Sequence, residues 1–245
     1  MAVRIHVPDP LAAGLSLALP PGPSRHLQVL RLQPGSALRL FDGRGGEWSA
    51  QVTRMGRQVV EVEVGEHLPV ERELAAEVTL AVGMPANERM DTLVEKAVEL
   101  GVAAIQPLVC ERSVLRLAGE RAERKAAHWQ AVAVAASEQC GRNRVAAVAP
   151  IRPLADWLRG LPPPHGAHRA VLSLREARPW AAAAAAAPTG ARWCVLSGPE
   201  GGLTPAEEEA AAACGFAAVS LGPRVLRADT APLAVLGWFG LAAGG

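Results

Sequence analysis

Lysine is nearly missing from this chain: of its 25 basic residues only Lys96 and Lys125 are lysines. The positive charge is therefore almost all guanidinium, the group suited to bidentate contact with phosphate. Net charge is also small, +1 at neutral pH, which excludes a bulk polycation that coats nucleic acid without discrimination. The four cysteines, Cys110, Cys140, Cys194 and Cys214, lie far apart and form no C-x-x-C, so reduced thiols in a cytoplasmic protein are expected. The six histidines show no ligand spacing, and no metal is expected. No apolar run has the length of a membrane span, and the N-terminus lacks the basic and apolar regions of a signal peptide. Neither G-x-x-x-x-G-K-[ST] nor G-x-G-x-x-G occurs, which removes the two common phosphate loops. No internal repeat occurs.

What remains is an ordinary globular balance, half hydrophobic and a fifth charged, in 245 residues that suit one large or two modest domains. Residues 1 to 72 look β-rich. Val3 to Val7, Ser36 to Phe41, Glu47 to Met55 and Arg57 to Val64 alternate, and Asp42-Gly43 is a tight-turn signal. Ser24 is placed to cap a short helix reaching Leu30. Short strands with glycine turns predict a small barrel. The arginines of residues 25 to 57, and those of residues 111 to 144, outnumber the acids near them.

From residue 73 onward strands alternate with helices, which predicts an α/β domain with a mainly parallel sheet. Val78 to Val82, Ala103 to Val109, Ala170 to Leu174, Trp193 to Leu196 and Phe216 to Leu221 read as strands. Asn87 is a candidate cap for a helix to Leu100, Glu120 to Gln139 forms a long helix, and Pro153 opens a short one. Pro179 to Pro188, with its seven alanines, reads as a surface helix or linker. An apolar helix closes the chain from about Thr230 to Leu241.

The richest stretch runs from residue 192 to 231. An apolar strand ends at Ser197-Gly-Pro-Glu-Gly-Gly202. Thr204 and Glu207 then form a capping box, with Pro205 at the first helical position. A second strand ends at Leu221-Gly-Pro-Arg-Val-Leu-Arg-Ala-Asp-Thr-Ala231. Two strands ending in loops of glycine and proline predict a ligand crevice at their carboxyl ends.

Ser-Gly-Pro-Glu-Gly-Gly-Leu-Thr and Leu-Gly-Pro-Arg-Val-Leu-Arg-Ala-Asp-Thr-Ala resemble the end of the RsmE family, SPOUT-class methyltransferases of 16S ribosomal RNA. Lys96-Ala-Val-Glu-Leu-Gly101, Ser137-Glu-Gln-Cys-Gly-Arg-Asn-Arg144, His26-Leu-Gln-Val-Leu-Arg31 and Phe41-Asp-Gly43 agree in order. The resemblance implies a PUA-like RNA-binding barrel over residues 1–72 and a methyltransferase domain over residues 73–245 with a deep trefoil knot. It implies S-adenosylmethionine as cofactor, uridine N3 in the small ribosomal subunit as target, and a homodimer. The apolar last helix (Leu233, Val235, Leu236, Trp238, Phe239) suits such an interface, or packs in its own subunit. The family usually carries Glu where this chain has Asp229, one methylene shorter, which weighs against a direct catalytic part for that carboxylate.

Carried over by motif, the cofactor residues are Leu172, Ser173, Leu196, Gly198, Pro199, Glu200, Gly201, Gly202, Leu221, Gly222, Arg224, Val225 and Leu226. Leu196 and Leu221 have core packing as an equal reading. Arg227 is the candidate to stabilise the uridine anion, and Arg224 is a cofactor-loop or phosphate residue. Asp229 is a base or a helix cap, with the cap favoured. Candidate RNA contacts are Arg25, His26, Arg31, Arg112, Arg142, Asn143 and Arg144; for Arg142 and Arg144 the alternative is a helix terminus answering its dipole. Lys96 and Glu99 read as a mutual pair. Two other functions stay open: an RNA-binding protein without turnover, and a SPOUT enzyme acting on a ribose 2′-hydroxyl.

Overall fold

A computed structural model describes residues 2–86, 88–164 and 166–242. The chain divides into two compact units, Met1–Glu73 with Ser137–Val145, and Leu74–Ala136 with Ala146–Gly245. A single cut at residue 72 does not anticipate that return of residues 137–145 to the first unit. No linear composition change marks it.

The first unit holds β1 (Val3–His6), β2 (Ser16–Ala18), α1 (Pro21–Val29), β3 (Ala37–Phe41), β4 (Glu47–Met55) and β5 (Val60–Leu68). They form a five-stranded sheet ordered β1-β3-β4-β5-β2, in which only β1–β3 is parallel. Irregularities at Trp48/Ala50 and Val52/Arg54 break the β4–β5 register, which bends and twists that hairpin. The expected alternation is visible in β5, where Val60, Val62 and Val64 all enter a core with Ile5, Leu27, Leu38 and Leu40. Ser24 does not cap α1. Pro20 holds that place, and Ser24 lies inside the helix, where its buried hydroxyl donates to Leu19 O (2.9 Å) and accepts from Val60 N–H (3.1 Å). Three-residue β2 is too short for periodicity to reveal.

The second unit runs β6 (Glu77–Gly83), α2 (Glu88–Glu99), β7 (Ala104–Val109), α3 (Gly119–Cys140), β8 (Ala147–Val148), β9 (Arg152–Pro153) and α4 (Leu154–Arg159). It continues through β10 (Ala167–Leu172), β11 (Arg178–Pro179), α5 (Trp180–Ala185), β12 (Arg192–Ser197), α6 (Pro205–Ala213), β13 (Ala217–Ser220) and α7 (Thr230–Ala242). The last residues of α3 belong to the first unit. Asn87, the expected cap of α2, lies outside the described residues. Among the described residues every strand pairing here is parallel, along the order β11-β13-β10-β12-β6-β7-β8 with β9 beside β7.

That order positions the site. β10 has β12 on one side and β13 on the other, with Val171 opposite Leu196 and Leu172 opposite Val219. The loops after all three strands therefore leave one edge of the sheet together. Beneath them Ala81, Leu108, Trp157, Leu196 and Phe216 make a buried cluster. α5 is not a bare surface helix: Trp180 is buried, 5.0 Å from Trp193 and 5.7 Å from Phe239 between ring centres. The alanine run hid this, because one anchoring tryptophan precedes it.

Candidate active site

The loop after β12 is fixed from several directions. A Cβ on Gly198 would come 2.8 Å from Leu203 N and 2.9 Å from Gly202 C, so only glycine lets the loop fold back on itself. Gly202 has φ +68°, with open space where a Cβ would sit. Glu200 Oε1 accepts from Ala86 N–H at 2.9 Å and lies 3.6 Å from the Arg89 guanidinium. Arg112 donates to Gly201 O at 3.0 Å and to Leu203 O at 3.4 Å. The Thr204–Glu207 capping box forms in both directions, and Glu207 also accepts from Glu111 N–H at 2.8 Å. Arg112, read from sequence as an RNA contact, thus gives one nitrogen, Nη1, to loop carbonyls while the residue stays exposed.

Above this loop is a cavity of about 570 Å³, within the range of roughly 300–1,000 Å³ usual for small-molecule sites. Its walls include Leu172, Ser173, Gly198, Pro199, Glu200, Gly201, Gly202, Leu221, Arg224, Val225, Leu226 and Arg227. Of the cofactor and catalytic candidates, three are not on them. Leu196 is fully buried in the cluster under the sheet edge, in keeping with the core-packing reading of its side chain. Gly222 lies in the same turn as Leu221 but outside the lining. Asp229 accepts from Thr230 N–H at 3.0 Å, at the head of α7, as a terminal helix carboxylate does.

Other wall residues were not foreseen: Arg89, Leu174, Arg175, Ser197, Leu203, Glu208 and Val219 among them. Glu208 is held by the Ser173 hydroxyl at 3.1 Å. No motif spacing points to it; its only sequence signal is a place beside the capping glutamate.

Residues 72–240 match the family described as RNA methyltransferase domains, and residues 24–65 the RNA methyltransferase PUA domains. A ribosomal RNA small subunit methyltransferase E of Synechocystis is 31% identical over 237 residues, 96% of this chain and 76% of that one. The protein of that name from Bacillus subtilis is 29% identical, over 86% of this chain and 83% of its own. The crystal structure of a ribosomal RNA small subunit methyltransferase E from Neisseria gonorrhoeae bound to S-adenosyl methionine superposes with TM-score 0.90. It is 35% identical, covering 99% of this chain and 98% of that one. The chain belongs to the ribosomal RNA small subunit methyltransferase E family.

The remaining residues read from the sequence as RNA contacts lie in the first unit. Arg142 and Asn143 are corrected: both are buried, out of reach of a polyanion. Arg142 forks onto the Glu73 carboxylate, with Nε at 3.1 and 3.2 Å from its oxygens. Asn143 donates to Val70 O at 2.6 Å and accepts from Arg4, which also reaches Arg142 O at 3.0 Å and pairs with Glu47. The segment is a buried network of hydrogen bonds. By contrast Arg25, His26 and Arg31 are exposed, on α1 and just after it, and Arg144 is exposed with Glu71 at 3.5 Å. Lys96 pairs with Glu95 and Glu99, both at 2.7 Å, as its spacing suggests.

Electrostatics follow the burial. Burial opposes the charged form of Glu47, yet hydrogen bonds and charge from Arg4, joined by Arg72, outweigh it and hold the carboxyl below its usual range. Burial pushes Glu138 the other way, upward, despite a hydrogen bond from His6 N–H at 2.9 Å and the charges of His26 and Arg4. Burial also lowers His6, against the pull of Asp42. Among the described residues no group of three or more His, Cys, Asp or Glu could hold a metal, and no helix is long and apolar enough to cross a membrane.

Proposed function

We propose that the chain transfers a methyl group from S-adenosylmethionine to N3 of a uridine in the 16S RNA of the small ribosomal subunit. One observation carries this reading: the cavity where β10, β12 and β13 end is lined by glycine loops and apolar side chains together with Arg175, Arg224 and Arg227. Arg175, Arg224 and Arg227 have no carboxylate partner among the described residues. A cavity of that size, walled by Leu172, Leu221, Val225 and Leu226 and by bare glycine backbone, suits a flat adenosine. The relative from Neisseria gonorrhoeae, crystallised with that cofactor, supports the assignment.

When bound, the cofactor supplies an already activated methyl group, so this chain needs to align the acceptor and exclude water rather than form a covalent intermediate. Leu172, Ser173, the Gly198–Gly202 loop and the Leu221–Leu226 loop would hold it. Uridine N3 carries a proton that passes to solvent before attack, and transfer of the methyl leaves S-adenosylhomocysteine as the departing product. Arg227 stabilises the anion that develops over N3 and the ring carbonyls, because a fixed guanidinium beside developing charge lowers the barrier. Arg224 and Arg175 anchor the RNA backbone beside it. Asp229, engaged with the helix head, is a positioning residue.

The same reading gives the first unit RNA contacts through Arg25, His26, Arg31 and Arg144, with residues 1–72 as the PUA-like module. It also includes a cytoplasmic homodimer, a knotted chain path around the cavity and no metal. Trp238 and Leu241 stand outward on α7 while Val235 and Leu236 are buried, which supports a second copy on that helix. Light scattering at micromolar concentration tests the dimer, and a monomer contradicts it. The activity is tested by incubating the protein with small subunits from a strain lacking this methylation and mapping the RNA by mass. One N3-methyluridine is expected; a ribose methyl, or none, overturns the assignment.

A further inference from the structure

Two carboxylates line the cavity, Glu200 and Glu208. Glu200 is committed to the Ala86 N–H and faces Arg89, so it serves the loop. Glu208 is different. The Ser173 hydroxyl accepts from Arg175 N–H at 3.0 Å, which leaves its one proton to donate to Glu208 Oε1 at 3.1 Å. The alternative acceptor, Arg175 O, is at 3.5 Å, too long to compete. Serine thus fixes the carboxylate as an acceptor, and Glu208 Oε2 has no protein partner among the described residues. A first-turn glutamate can owe its place to the helix dipole alone. Here, however, the Thr204–Glu207 box already caps α6, and the Glu208 carboxylate accepts from Ser173 rather than from the main chain at the helix head.

We propose that Glu208 is a cofactor-binding residue: its carboxylate, aimed by the Ser173 hydroxyl, accepts hydrogen bonds from a donor group of S-adenosylmethionine, either the ribose diol or the α-ammonium. The inference rests on the methyltransferase reading above. Charge favours it as well. A cationic cofactor entering a cavity ringed by Arg89, Arg175, Arg224 and Arg227 meets like charge, and Glu208 is the carboxylate not already neutralised by loop contacts.

The test is calorimetric binding of S-adenosylmethionine, S-adenosylhomocysteine and 5′-methylthioadenosine to the full chain, its Glu208→Gln and Glu208→Ala variants, and Ser173→Ala. Loss of charge-assisted hydrogen bonds weakens S-adenosylmethionine and S-adenosylhomocysteine by roughly ten- to hundredfold in Glu208→Gln, and by less in Ser173→Ala. If the diol is the partner, 5′-methylthioadenosine weakens in parallel; if the ammonium is, that ligand, which lacks it, is unaffected. Glu208→Gln is nearly isosteric, so an unchanged melting temperature without ligand separates binding from folding, should Glu208→Ala fail to fold. Wild-type affinity of Glu208→Gln for all three ligands overturns the role of Glu208 alone. A wild-type chain that binds none of them overturns the methyltransferase reading itself.

Discussion

Arg4 and Arg142 put two guanidinium groups inside the first unit, where Glu47, Glu73, Asn143 and the Arg142 carbonyl are among the groups that compensate them. Removing one member of a buried pair leaves the other uncompensated. Arg142→Ala is therefore expected to cost about 3 kcal/mol in urea unfolding, and a change within the noise contradicts a structural role. Glu138 and Glu47 have opposite pH signs. Glu47, held low, stabilises above the ordinary carboxylate range, and that contribution is lost as pH falls through its folded value. Glu138, raised by burial, stabilises only below the ordinary range, and its contribution is lost as pH rises through its folded value. Glu138→Gln keeps an acceptor for His6 N–H and removes the charge. Its urea midpoint should exceed wild type at neutral pH and converge with it in acid; a deficit at neutral pH contradicts the assignment. Arg227→Ala should lower turnover about a hundredfold with cofactor affinity retained, and a small change means the anion is stabilised elsewhere. That Arg227 lines the cavity was legible because its motif is contiguous with the Leu221–Leu226 loop. Arg142 was misread because the same arginine serves an RNA surface or a buried tie, and only burial, a long-range property, decides.

At the scale of elements, the strand–loop–helix from Arg192 to Ala213 is the unit that local chemistry determines most completely. The apolar strand, the glycine loop, Pro205 and the Thr204–Glu207 box all act within a dozen residues, so the sequence shows them and the structure bears out the box. Gly198→Ala tests the loop, since a methyl group there meets main-chain atoms rather than a yielding side chain. S-adenosylmethionine affinity should fall at least about tenfold, and intact binding means the loop relaxes freely. Elements fixed from afar were less legible. Short β2 exists through pairing with β5, and α5 is anchored by Trp180 against Trp193 and Phe239, which follow it in the chain. Ser24 was misplaced as a cap because its partner, Val60 N–H, lies on another strand.

On the scale of the whole molecule, alternating strands and helices suffice to indicate a parallel α/β sheet, whereas strand order is a long-range property. The placement of β10 between β12 and β13 is what gathers three loops around one cavity. The return of residues 137–145 to the first unit is equally non-local. The thiols belong to this scale too: burial raises Cys110 to about 12 and Cys194 to about 11, consistent with packed, unreactive side chains. All of this converges on a cofactor lying among the loops after β10, β12 and β13 beside Arg227. A crystal structure of the chain grown with S-adenosylmethionine measures that directly. The account predicts the cofactor in this cavity, its adenosine against the Gly198–Gly202 and Leu221–Leu226 main chain; a cofactor bound anywhere else contradicts it.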